Sequence, residues 1–418
     1  MDSRELCYSI LYDCFENEAF LNLALSGPGI DDFTRAAVYG TVTYVFTEDY
    51  MIKKVSGKNP CDMDPEVRTI LRLGVWQLLF SDKVPDYAAV NSSVELCKIH
   101  KRKAASFVNA VLRKISGLPA EEKVPANFKS PEARYSVKSE IFGILKKDYG
   151  MTRAGAIAEA LLKPLPLSVR VNTLKTDTIS LENELTGCGF NVERSGIVDN
   201  CLILKPGPDA PSIDSCDAFK EGKFMVQGQA AQMASVMADP KPGMRILDCC
   251  AAPGGKTTHL AQLAENKAFI TALDVNESRT RLIKQNVERL GAENVEIKVA
   301  DASSYEDKDL FDIVLCDAPC SGLGIMGGKP DIRLTISYER ILEIIQKQIL
   351  ILSNISKLVR PGGRLVYSTC TINSGENEGQ VRDFLNANTQ YNPENMVTFL
   401  PDTDGCEGFF VSVMRRLE

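Results

Sequence analysis

Two cysteines stand at the ends of short apolar runs. FDIVLCDAPCSG carries Asp317, Pro319 and Cys320, and GRLVYSTC ends in Cys370. If both runs are neighbouring strands of a parallel sheet, about 5 Å apart, their tips bring both thiols and Asp317 into one cleft. Cys249, Cys250 and Cys316 lie on or beside apolar strands instead, where cysteine acts as a small buried hydrophobe. Three more runs end in acids: MRILDCC after Asp248, FITALDV at Asp274 and VEIKVADA at Asp301. The first leads into CCAAPGGKT, whose Gly254 and Gly255 let a backbone approach a ligand before a helix opens. This loop has neither a G-x-G-x-x-G nor a Walker spacing. Asp274 is placed to accept from ribose hydroxyls, and Asp301 from an exocyclic amine. A glycine turn with two acids and no phosphate cradle suits S-adenosylmethionine.

Two thiols, a carboxylate and that cofactor fit one difficult reaction. The C5 carbon of cytosine is a poor nucleophile. A thiolate adding at C6 makes C5 enamine-like, so that it can take a methyl group; the C5 proton and the thiol then leave. A carboxyl group near N3 holds the ring and stabilises its protonation. The thiolate needs a positive neighbour, and Lys256 or the sulfonium can supply one. The base must leave its stack to reach the cleft.

The elements around these residues set the architecture. At 418 residues, 44% hydrophobic and 25% charged, the chain is expected to form two or three globular domains. No run of 18 apolar residues appears, and MDSRELCYSI lacks the pattern of a secretory signal, so a cytoplasmic protein without membrane contact is expected. Only two histidines, His100 and His259, are present, which argues against a Ser-His-Asp triad. With no C-x-x-C pair, no metal site is expected. Apolar spacing of three and four predicts an all-helical region over the first 118 or so residues, with Asp64 a possible cap before Pro65 and Trp76 in an apolar stripe. A Pro-rich connector and helices follow, then a small α+β segment from Leu165 to Pro240. From Pro242 onward strands and helices alternate, the mark of a parallel sheet covered on both faces. The expected divisions are 1–120, 121–240 and 241–418.

The net charge is −7, yet Lys98, Lys101, Arg102, Lys103, Arg113 and Lys114 fall in one stretch without an acid. Such a stretch can bind phosphate or simply be a solvated helix face.

The motifs DCCAAPGGKT, DAPCSG and YSTCTINSGENE resemble those of the Sun/RsmB family of cytosine-C5 RNA methyltransferases. LRLGVWQLLF, AVNSSVELCK and FVNAVLRK resemble a NusB-like RNA-binding domain, and RVNTLK resembles the segment that precedes the catalytic domain. The resemblance implies a multidomain fold: an all-α NusB-like domain, a small α+β RNA-recognition subdomain, and a Rossmann-like class I methyltransferase domain with a mostly parallel seven-stranded sheet. It implies methylation of a cytosine in 16S ribosomal RNA, and nothing in the sequence demands more than a monomer. Cys370 would be the nucleophile and Cys320 would assist product release, an order that spacing alone leaves open. Asp317 and Lys256 would complete the catalytic set. The cofactor would lie on Cys250, Ala251, Ala252, Pro253, Gly254, Gly255 and Lys256, with Asp274 on the ribose, Arg279 beside it, Asp301 near the adenine and Asp317 near the reacting centre. Arg170 and Asn172 are expected to join the basic stretch on RNA. Four positions depart from the family pattern: Gly228, Gly327, Gly328 and Leu334, the last where tryptophan is usual. They are expected to bear on RNA contact and target-base placement. A tRNA methyltransferase and an inactive RNA-binding assembly factor are the alternatives; intact Cys320, Cys370 and Asp317 count against the second.

Overall fold

A computed structural model describes residues 2–27 and 29–418. The chain forms two compact units. One comprises Met1–Pro164 together with Met326–Tyr338, the other Leu165–Ile325 with Glu339–Glu418.

The first unit is helical. The helix Pro65–Phe80 lies at its centre and is buried along most of its length, as its nearly continuous apolar sequence requires. Helices Ser3–Glu16, Asp32–Thr43, Val45–Ser56, Asp86–His100 and Ala105–Ser116 pack around it in one apolar cluster. Trp76 is 7% exposed, and its indole lies against Gly40. Asp64 does not cap the central helix with its side chain. It pairs with Lys101 at 2.6 Å instead.

The segment Met326–Tyr338 closes this unit. The Arg333 side chain, 1% exposed, donates to the carbonyls of Ser136 and Leu161. Lys138 donates to the carbonyls of Leu334 and Ile336, and Leu334 packs against the helical core. A Cβ on Gly327 would lie 2.3 Å from the Lys163 carbonyl oxygen, so only glycine fits the approach. Leu334 and Gly327, expected to bear on RNA, are thus packing residues of the helical unit, while Gly328 is exposed.

The second unit holds two sheets. Strands β1 (Leu167–Val171), β2 (Phe190–Arg194), β3 (Cys201–Pro206) and β4 (Phe224–Val226) form an antiparallel sheet in the order β2-β3-β1-β4. The larger sheet contains β5 (Arg245–Cys249), β6 (Phe269–Asp274), β7 (Val295–Val299), β8 (Phe311–Asp317), β9 (Val359–Thr369), β10 (Tyr391–Phe399) and β11 (Phe409–Arg416). Its order is β10-β11-β9-β8-β5-β6-β7, and β11 alone runs against the rest. The reversal of strand order at β5 and β8 opens a crevice at the carboxyl ends of the central strands. The mostly parallel seven-stranded sheet expected from the sequence is present.

Candidate active site

The cleft lies at that crevice. Strands β8 and β9 are parallel neighbours with Asp317 opposite Ser368. Their tips place Cys320 Sγ 3.2 Å from Cys370 Sγ. Asp317 stands beside them. Its Oδ2 accepts from Lys256 Nζ at 2.7 Å and its Oδ1 from Ser368 Oγ at 2.9 Å. Burial opposes the charge on Lys256, but the Asp317 carboxylate outweighs it and holds the ammonium above its usual pKa. The pair is poorly screened, so the carboxylate is fixed in place and stays paired.

A void of about 220 Å³ opens beside the thiols. Cys250, Ala252, Asp274, Arg279, Asp301, Asp317, Cys320 and Cys370 border it, with Val275, Ala300, Ala302 and Ile351 as its apolar wall. Asp274 is 2% exposed, and its two oxygens accept from the backbone amides of Asn276 and Ala252. Those bonds fix its direction and still leave lone pairs for a pair of hydroxyls. Asp301 accepts from the amide and hydroxyl of Ser303 through Oδ1, which lowers its pKa and keeps it an anion. An apolar slot between two fixed carboxylates matches the edges of an adenine nucleoside.

The turn after β5 shapes one side. Cys250 takes a left-handed φ of 57°, the Ala251 amide donates to the Leu273 carbonyl at 2.7 Å, and Arg279 donates to the Ala252 carbonyl at 3.1 Å. Ala251 and Gly254 are buried, and Pro253, Gly254 and Gly255 form the turn without lining the void. Arg170 and Asn172, expected on RNA, are interior instead. Arg170 is 1% exposed and donates to Gln227, the Gly255 carbonyl and Thr258. It braces the turn from beneath. Asn172, 2% exposed, donates to the carbonyls of Gly222 and Leu290 at 2.8 Å each.

In the helical unit, Lys98, Arg102, Lys103, Arg113 and Lys114 are exposed. Lys101 is half-buried and engaged with Asp64 and Glu66 at 2.6 and 3.7 Å. Five side chains of that stretch therefore face solvent, and two of the six, Lys101 and Lys98 (2.7 Å from Glu95), are already paired with acids.

Three comparisons bear on this geometry. The model of the 16S rRNA methyltransferases RsmB/F matches residues 235–415, that of the NusB family residues 1–117, and the RsmF/B-like ferredoxin-like domain residues 142–210. The probable ribosomal RNA small subunit methyltransferase B of Bacillus subtilis (strain 168) is 31% identical over 449 residues, covering 99% of this chain and 98% of that protein. The chain belongs to the RsmB/F methyltransferase family. The ribosomal RNA small subunit methyltransferase B of Xylella fastidiosa (strain 9a5c) is 35% identical over 77% of this chain and 74% of its own length. Among solved structures, that of PH0851 aligns with a TM-score of 0.83 at 28% identity over 100% of this chain and 99% of that one. NSun6 from Pyrococcus horikoshii, solved with SFG, aligns with a TM-score of 0.62 at 25% identity over 67% of this chain and 98% of that one. The N-terminal unit thus contains the helical NusB-like domain, strands β1, β2 and β3 fall in the ferredoxin-like subdomain, and the seven-stranded sheet is that of the methyltransferase domain.

Within this RsmB/F chain the departure at Gly228 has a local explanation. Gly228 precedes the helix Gln229–Ala238, where an acid would serve as cap. Glu407 takes that position, accepting from the Ala231 amide at 2.9 Å. A Cβ on Gly228 would meet the Glu407 carboxylate at 2.0 Å, so the two positions are linked. Sequence reasoning did not single out Ser368, Lys347 or Glu376. Ser368 and Glu376 stand within motifs already noticed, whereas Lys347 borders the void from mid-helix with no signal around it.

Proposed function

We propose that this chain methylates C5 of a cytosine in 16S ribosomal RNA, with S-adenosylmethionine as donor, through a covalent bond between Cys370 and C6 that Cys320 helps to release. The relatives named above are, by their names, methyltransferases of small-subunit ribosomal RNA. The observation that carries the chemistry is the pair of sulfurs 3.2 Å apart beside the Lys256–Asp317 ion pair.

The surroundings support the order of the two cysteines that the resemblance implies. The hydrogen bond with Cys370, followed by burial and the nearby charges of Cys370, Glu376 and Asp317, holds the Cys320 thiol well above its usual pKa. Lys256 interacts electrostatically with Cys370. In this reading Cys320 keeps its proton and Cys370 attacks as the thiolate. Asp274, Asp301 and Asp317 border the void that would hold S-adenosylmethionine, which would supply a methyl group on a sulfonium. The Cys370 sulfur bonds to C6, and the former C5–C6 π pair makes C5 nucleophilic toward that methyl. Asp317, fixed by Lys256 and Ser368, faces the ring edge and stabilises protonated N3. The C5 proton then passes to water, the C5–C6 double bond re-forms, and the C6–S pair returns to Cys370. The Cys320 thiol hydrogen-bonds the departing sulfur.

Bisulfite mapping of 16S rRNA from cells with and without the protein tests the substrate: one cytosine should lose its protection in the deletion. Loss of protection in tRNA alone would move the substrate to tRNA. With purified protein, Cys370→Ala is expected to abolish methyl transfer while donor binding survives, and transfer by that variant at the wild-type rate would refute the assignment.

A further inference from the structure

Glu376 lies directly behind the two thiols and is 0% exposed. Four side chains and one amide point at it. Ser321 donates through both its amide, 2.8 Å from Oε2, and its hydroxyl, to Oε1. Asn373 donates to Oε1 at 3.0 Å, Gln348 to Oε2 at 3.2 Å, and Thr371 approaches Oε1 at 3.4 Å. The Ser321 and Thr371 hydroxyls are themselves 2.7 Å apart. Ser321 follows Cys320 directly, and Thr371 follows Cys370. One carboxylate therefore ties the two loops that carry the sulfurs. Gln348 also donates to the Pro319 carbonyl at 2.9 Å, so the residue before Cys320 is held by the same group of atoms.

The donors are all neutral, and among the described residues no cation pairs with this carboxylate. Burial pushes Glu376 upward, and the bonds from Ser321, Asn373 and Gln348 pull it back. The Ser321 and Thr371 hydroxyls share one hydrogen between them, so the carboxylate accepts from the remaining hydroxyl, the Ser321 amide, Asn373 and Gln348. That charge faces Cys320 and Tyr367, while Lys256 and Asp317 face the thiols from the other side.

We propose that Glu376 is a positioning residue: it clamps the loops after Cys320 and Cys370 so that the sulfurs meet and Cys320 can donate to the departing Cys370 sulfur. This rests on the two-thiol reading above. It gives the ENE segment of the motif a part in releasing product rather than in binding RNA or donor.

The test compares Glu376→Gln, Glu376→Asp and Cys320→Ala in the full-length protein, incubated with 16S rRNA and S-adenosylmethionine and run on denaturing gels. Cys320→Ala should accumulate an RNA–protein adduct. Glu376→Gln should do the same, with kcat reduced at least tenfold and KM for RNA unchanged, and Glu376→Asp should recover part of the loss. The alkaline fall of turnover should move to lower pH in Glu376→Gln, because the charge that held the Cys320 proton is gone; a purely structural loss would lower the profile without moving it. If Cys320→Ala traps adduct and a folded Glu376→Gln turns over normally without adduct, the proposal is overturned. If Cys320→Ala itself traps nothing and turns over normally, the two-thiol reading fails first. Should Glu376→Gln not melt cooperatively, Ser321→Ala removes one clamp bond and decides: adduct supports the clamp, and normal turnover overturns it.

Discussion

Glu48 and Glu376 have no exposed surface at all, and their surroundings are opposite. In the methyltransferase unit, Glu376 accepts from Ser321, Asn373 and Gln348. In the helical unit, neither oxygen of Glu48 has a hydrogen-bond partner among the described residues. Arg72, the cation that acts on it, turns its Nε and one Nη to Asp49 at 2.8 and 2.7 Å. Burial consequently drives the Glu48 pKa well above the carboxylate range, against a smaller pull from Arg72. The contrast teaches that burial alone does not determine what a carboxylate does. Where donors answer it, it is an anion that organises loops. Where they do not, it is a neutral acid that burdens its core.

Removing both carboxylates tests this contrast. Glu376→Ala strands its donors and opens a void, and it is expected to lower the unfolding free energy by about 3–5 kcal/mol. An unchanged urea midpoint would show that the clamp is replaceable. Glu48→Met should act in the other direction, raising stability at pH 8 by about 1–3 kcal/mol because an unpaired buried group is gone. The pH dependence has a definite sign. The folded state holds the Glu48 proton more tightly than the unfolded state does. That stabilisation is complete below pH of about 4.3, the unfolded carboxyl value, and is lost as pH rises toward the folded value. Thermal melts between pH 5 and 8 should therefore slope less in Glu48→Met, and equal slopes would dismiss Glu48 as the cause. The smallest effect extends the same rule to the surface. Lys101 is already answered by Asp64 and Glu66, whereas Arg102 and Lys103 are exposed. Neutralising Arg102 or Lys103 should reduce the salt dependence of RNA binding by about one unit of slope for each phosphate that its charge neutralises. Neutralising Lys101 should change it less; equal losses would mean that Lys101 leaves its acids when RNA arrives.

Much of the site could be seen in the sequence because strand tips are a local feature. An apolar run, an acid and a cysteine stand within a few residues of each other, and parallel neighbours place such tips side by side. Partners far along the chain are what local spacing does not reveal. Arg170 looked like a surface residue in RVNTLK, but its acceptors are Gln227, Gly255 and Thr258, and burial followed from them. Asp64 had the position of a cap, yet Lys101 competes for its carboxylate. The acid missing at Gly228 came from Glu407, about 180 residues on, where side-chain packing and not local spacing decides the choice. Leu334 and Gly327 looked like departures that touched the substrate; their neighbours are the helical core and the Lys163 carbonyl.

The excursion of Met326–Tyr338 into the helical unit has a consequence for biosynthesis. A nascent chain that has emerged only as far as Pro164 lacks Arg333, so the carbonyls of Ser136 and Leu161 wait for a donor that the ribosome has not yet made. The helical unit therefore reaches its final state only late in translation, and a fragment cut at Pro164 should be less stable than the same residues in the whole protein.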